Sequence, residues 1–111
     1  MEESRRQKLP PKPRGTRDIL PPQSTIYQRI FEEFKLILNN LGYQPVISPT
    51  YEHEELFISL GELTDVQKEM FIFSDRKERK LVLSPEGTAS TVRLVCQNKL
   101  INPGHPLRLY Y

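Results

Sequence analysis

Met70-Phe71-Ile72-Phe73-Ser74-Asp75-Arg76-Lys77-Glu78-Arg79-Lys80-Leu81-Val82-Leu83, followed at once by Ser84-Pro85-Glu86-Gly87-Thr88-Ala89, is the stretch on which the fold turns. Two short runs of strand-forming residues, Met70–Phe73 and Lys80–Leu83, flank a charged turn over Ser74–Arg79, an arrangement that predicts an antiparallel hairpin. Ser84 then offers a capping hydroxyl, Pro85 lacks an N–H where a first helical turn needs none, and Glu86 places a carboxylate at the positive end of a helix dipole. A helix therefore opens here, with Ala89, Val92, Val95, Cys96 and Leu100 as its buried face and Asn102-Pro103-Gly104-His105-Pro106 as its end. Leu107-Arg108-Leu109-Tyr110-Tyr111 alternates as a further strand, and nothing else in the sequence is assigned to pair with it. The expected class is α+β, an antiparallel sheet flanked by helices.

Upstream, Ile26, Tyr27, Ile30, Phe31, Phe34, Ile37, Leu38 and Leu41 recur at three- and four-residue steps, which predicts an amphipathic helix over residues 23–41. Pro22 and Ser24 mark its start, and Gly42 can take the left-handed conformation that closes a helix. Tyr43–Ser48, bounded by Gly42 and Pro49, reads as an edge strand with Pro45 near its start. Glu52–Ser59 reads as a short helix with Leu56, Phe57 and Leu60 on one side, and Gly61–Asp65 as a loop.

Composition narrows the classes. The chain has 111 residues, enough for one domain with a modest core. Apolar residues make up 37% and no run is long enough to span a bilayer, so no membrane segment is expected. No apolar stretch follows the charged Met1–Lys8, which removes a secretory signal and leaves a cytoplasmic or organelle-internal location as the expectation. Cys96 is the single cysteine, and with His53 and His105 it makes neither a disulfide nor a zinc set, so metal ligands are expected to be absent. His53 and His105 read as surface side chains, Cys96 as a core thiol.

Residues 1–17 carry six basic and two acidic side chains, a net of +4, and are rich in proline. They read as an extended basic arm, either solvated or in contact with phosphate. Residues 18–111, with ten basic and twelve acidic side chains, form the folded part, and this acidic balance argues against a free-standing RNA-binding module. Because the last strand closes on Tyr110 and Tyr111, the sequence reads as the front part of something longer.

Five strings, in order, carry a resemblance: Pro13-Arg14-Gly15-Thr16-Arg17-Asp18-Ile19-Leu20-Pro21; Leu41-Gly42-Tyr43 leading to Pro49; Gly61-Glu62 and Thr64-Asp65 with Lys68-Glu69-Met70-Phe71; Pro85-Glu86-Gly87-Thr88-Ala89; and Leu107–Tyr111. Over about residues 9–111 the chain resembles the N-terminal part of bacterial-type histidyl-tRNA synthetases. The resemblance implies a class II aminoacyl-tRNA synthetase catalytic domain, from motif 1 to the start of motif 2, that activates histidine with ATP and Mg²⁺ and charges tRNA(His). It implies a homodimer with Pro49 at its interface, and a histidine pocket lined by Glu86, Gly87 and Thr88. Tyr110 and Tyr111 fall where motif 2 begins. Two departures remove positive charge near that pocket: Ser84 stands where the family usually has arginine, and Leu56-Phe57-Ile58-Ser59-Leu60-Gly61 is one residue shorter and lacks the arginine the family usually has shortly after its Leu-Phe pair.

On chemistry alone, Glu86 has two readings. A partly buried carboxylate can accept hydrogen bonds from the α-ammonium of histidine, with the Thr88 hydroxyl beside it; equally, a carboxylate at this position can merely complement a helix N-terminus. Pro49 can likewise simply end a strand. No Ser-His-Asp or Cys-His pairing can be assembled, so no catalytic residue is assigned within this chain. The competing function is a noncatalytic relative, the histidine-binding regulatory subunit of ATP phosphoribosyltransferase, or a decayed synthetase copy.

Overall fold

Strand pairing organises the larger part of the chain, as the hairpin pattern requires. The computed structural model describes residues 9–58 and 69–111. In chain order its elements are α1 (Gln23–Asn40), β1 (Gln44–Pro45), β2 (Tyr51–His53), α2 (Glu54–Ile58), β3 (Ile72–Ser74), β4 (Lys80–Leu83), α3 (Thr88–Gln97) and β5 (Leu109–Tyr110). The readings placed on Ser59, Leu60, the Gly61–Asp65 loop, Lys68 and the first eight residues lie outside the described residues. The chain divides within α1 into two compact units, Met1–Leu36 and Ile37–Tyr111.

In the first unit, Thr16 closes a turn by donating both its N–H (3.1 Å) and its hydroxyl (2.7 Å) to the Pro13 carbonyl, with Gly15 at φ +83°. The helix α1 then starts directly after Pro22, whose carbonyl accepts the Ile26 N–H at 3.3 Å. Its periodicity is as expected, but no residue of α1 is buried, and Ile26, Ile30, Phe31, Phe34, Ile37 and Leu41 on one stripe are each more than half exposed. Apolar stripes of this length on a surface drive association. At tens of micromolar the purified chain is therefore expected to self-associate in light scattering, and Phe34→Asp, at the middle of the stripe, to reduce that association. A monodisperse parent monomer contradicts this expectation.

The helix ends as Gly42 predicts. Gly42 (φ +78°) donates to Asn39 O at 3.0 Å and Tyr43 donates to Leu38 O at 3.0 Å, the paired bonds of a Schellman close. The edge strand that follows is shorter than Tyr43–Ser48. Gln44 and Val46 donate to the carbonyls of Arg108 and Tyr110 at 3.0 and 2.9 Å, while Pro45 between them has no N–H to offer the other side. This β1–β5 pairing is parallel, Gln44 opposite Leu109, so the last strand does have a partner on one side. Alternation identified the strand, but a parallel partner far away in sequence leaves no local signal.

The hairpin forms, β3 and β4 pairing antiparallel with Phe73 opposite Leu81, but its first strand is Ile72–Ser74 and not Met70–Phe73, since Ser74 pairs with Lys80. Asp75 organises its turn: one carboxylate oxygen accepts the Lys77 and Arg79 N–H groups (2.8 and 3.0 Å) and the other the Arg79 Nε (2.6 Å). These backbone and guanidinium donors, the Arg79 N–H foremost, hold the Asp75 carboxyl below its ordinary value. Glu78 takes the left-handed position at φ +59°. A second antiparallel partner joins β4 on its other side, Glu52 opposite Val82, giving the three-stranded order β2-β4-β3. Glu52 and His53 are thus strand residues, and the helix expected over 52–59 begins only at Glu54. Pairing with β4 outweighs the weak helical signal of so short a segment.

Alternation gives the sheet two faces. Glu52 and Val82 point to the side covered by α2 and α3, where Phe57, Val82 and Ala89 form the core with Leu56 and Met70 against it. Burying Phe57 and Val82 contributes about 1.5–3 kcal/mol each. Leu81, opposite His53 and Phe73, is buried on the other face, where Tyr51 and Phe73 meet edge to face at 5.8 Å.

The α3 helix keeps only part of its expected face inward, Ala89 being buried and Val95 half-buried. Ala89 and Ser90 are buried, whereas Val92, Cys96 and Leu100 are exposed, so Cys96 is a surface thiol and not a core one. The helix also stops at Gln97, ahead of Asn102–Pro106, because Lys99 adopts φ +53° and Lys99 and Leu100 donate back to Cys96 and Val95 (3.2 and 3.1 Å). A lysine in that backbone region gives no sequence warning. His53 and His105 are exposed, as read.

Candidate functional site

Glu86, Gly87 and Thr88 occupy the junction between β4 and α3. At the strand end the Ser84 N–H donates to Thr50 O at 2.9 Å, which ties the junction to the start of β2. The Ser84 hydroxyl is not the helix cap; its Oγ is buried without a hydrogen-bond partner. Glu86 does the capping: Oε2 accepts the Thr88 N–H at 2.5 Å and Oε1 accepts the Ala89 N–H at 2.8 Å. These are two of the N–H groups that the first turn of any helix leaves unpaired. The Ala89 N–H is the largest influence holding the Glu86 carboxyl below its ordinary value of 4.5, with slight burial opposing it and Thr88 adding to it. Because the folded value is the lower one, this cap contributes fully above the unfolded value and is lost as pH falls through the folded one.

Glu86 is exposed, not partly buried as the substrate reading supposed, and a carboxylate has more acceptor sites than these two N–H groups occupy. Gly87 follows at φ −94° and ψ −15°, so its backbone does not require glycine. What requires it is Tyr111: a Cβ at Gly87 would fall inside the van der Waals envelope of the Tyr111 ring. The Tyr111 hydroxyl also lies 2.8 Å from Thr88 Oγ1. Tyr111 directly follows β5, so the parallel β1–β5 pairing anchors the strand from which its ring reaches back over the junction. The sequence showed glycine and two tyrosines but nothing that linked them.

A second polar contact also went unread. Arg93 of α3 donates from Nε (3.0 Å) and Nη2 (2.7 Å) to Glu52 Oε1, and from Nη1 to Gln97 Oε1 at 2.8 Å. The Glu52 side chain is 7% exposed and that of Arg93 23%. Arg93 lies one helical turn after the buried Ala89, and a charge on that stripe calls for a counter-charge; this is the signal that could have found the pair.

Pro49 is exposed in the connection between β1 and β2. Among the described residues no group of three or more His, Cys, Asp or Glu side chains converges as a metal set. No helix among them is long and apolar enough to cross a membrane. The assembled cluster is therefore Glu86, Gly87, Thr88 and Tyr111: a carboxylate, two hydroxyls and a glycine floor, suited to receive donors such as an ammonium group.

Residues 15–111 match the sequence model of the family described as Histidyl-tRNA synthetase. A histidine–tRNA ligase of Bacillus subtilis is 48% identical over 102 residues, which cover 89% of this chain and 24% of that protein. The structure of apo S. aureus histidyl-tRNA synthetase superposes with a TM-score of 0.77 at 33% identity, over 93% of this chain and 24% of the other. A Bacillus halodurans structure, named as an ATP phosphoribosyltransferase regulatory subunit/histidyl-tRNA synthetase, gives 0.74 at 31% identity, over 89% and 25% of the two chains. The chain spans about a quarter of the length of the curated relatives it matches.

Proposed function

The chain belongs to the histidyl-tRNA synthetase family, and from that premise we propose that it supplies one wall of the histidine pocket and the motif 1 dimer face of a class II histidine–tRNA ligase. The match over residues 15–111 carries this reading. In it, the free lone pairs of Glu86 and the Thr88 hydroxyl receive N–H bonds from the histidine α-ammonium, while Gly87 keeps the floor of the pocket low. Pro49 and the exposed stripe of α1 meet a second copy of the chain. ATP with Mg²⁺ and tRNA(His) are the other substrates of the whole protein, whose place is the cytoplasm.

The Glu86 cluster contains no cation. Adenylyl transfer from ATP depends on positioned positive groups and donors that stabilise developing charge, each worth about 3 kcal/mol or more. The 111-residue chain by itself is therefore expected to give no histidine-dependent pyrophosphate exchange above background. A second reading, supported by the name of the Bacillus halodurans structure, is a regulatory subunit that binds histidine without transforming it. The test is a hybrid ligase in which this segment replaces the matching 102 residues of the Bacillus subtilis relative. Retained histidine-dependent exchange supports the ligase reading. Histidine binding without exchange supports the regulatory one, and a folded hybrid that neither binds histidine nor exchanges pyrophosphate overturns both.

A further inference from the structure

The Thr88 hydroxyl has one proton and two places to put it. Tyr111 Oη lies 2.8 Å away, and Glu86 Oε2 accepts the backbone N–H of the same Thr88 at 2.5 Å, which brings the carboxylate beside this residue. Donation to Glu86 uses carboxylate capacity that an incoming ammonium group needs, and an ammonium group, with three donors and no acceptor, cannot share that proton. Donation to Tyr111 leaves both Thr88 lone pairs and the free Glu86 lone pairs available. Tyr111 can hold this position because its ring rests on Gly87, where no side chain obstructs it.

We propose that Tyr111 is a positioning residue for histidine: it accepts the Thr88 proton and so turns Thr88 into an acceptor for the substrate ammonium. The proposal rests on the histidine-pocket reading above. It accounts for why a glycine with ordinary backbone angles sits at position 87, and it gives the terminal strand a role in the site.

The test uses the hybrid ligase with Thr88→Val, Tyr111→Phe and the double variant, reading KM and kcat for histidine and for ATP in pyrophosphate exchange, with thermal melts as the folding control. Tyr111→Phe is expected to raise the histidine KM roughly 3- to 10-fold, the effect of one hydrogen bond, with kcat and the ATP KM changed less than about twofold. The double variant is expected to be no worse than Thr88→Val alone, since Tyr111 acts through Thr88. An unchanged histidine KM in Tyr111→Phe beside a raised one in Thr88→Val overturns the positioning role and leaves the pocket intact. Additive effects in the double variant also overturn it, because Tyr111 would then act on the substrate directly. An unchanged KM in Thr88→Val removes the pocket reading itself.

Discussion

Glu52→Ala is expected to lower the unfolding free energy of the chain by about 3 kcal/mol, the lower end of the range for breaking a buried ion pair by removing one partner. Glu52 is 7% exposed and accepts two bonds from Arg93, so its removal leaves a guanidinium facing the core side of β2 with only Gln97 as partner. Because Arg93 retains 23% exposure it can turn partly toward water, which is why the lower end applies. For a domain of ordinary stability, about 5–15 kcal/mol, that is a large fraction of the total. Urea unfolding followed by circular dichroism measures it. Glu52→Gln, which keeps the shape and one acceptor, is expected to fall between parent and alanine. The paired Glu52→Met, Arg93→Met variant is expected to cost less than Glu52→Ala alone, since neither charge is then stranded. A Glu52→Ala chain within about 0.5 kcal/mol of the parent would mean that the pair does not join α3 to the sheet.

What the sequence disclosed follows the range of each interaction. The α1 helix, its Gly42 close, the β3–β4 hairpin and the exposed histidines were legible because their causes lie within a few residues of one another. The extra strand β2, the parallel β1–β5 pair and the Glu52–Arg93 bridge join distant parts of the chain, and no local pattern encodes them. The buried side of α3 was misjudged for a related reason. Val92 and Cys96 look like core residues by type, but the helix is set so that Ala89 packs in the core with Val82 and Arg93 pairs with Glu52, which leaves Val92 and Cys96 exposed. In the candidate site, Glu86 and Thr88 were visible as chemistry, and Glu86 had two readings. The helix-capping one is realised in its bonds to Thr88 and Ala89. Tyr111 entered the cluster only through tertiary structure.

Capping and substrate binding are compatible, since a carboxylate has more lone pairs than the two N–H groups occupy. They predict different losses on Glu86→Gln. The glutamine keeps one acceptor oxygen and loses the charge, so the cap weakens and stability falls by about 0.5–1 kcal/mol whichever reading holds. If Glu86 also receives the histidine ammonium, a charge-assisted bond is lost, worth about 1.5–3 kcal/mol, or roughly 10- to 150-fold in affinity. Calorimetric titration of histidine into the hybrid ligase and its Glu86→Gln variant is the decisive measurement. Affinity is expected to drop by at least about tenfold while the melting temperature falls only slightly; unchanged affinity with the same small fall in melting temperature would show that Glu86 caps a helix and nothing more.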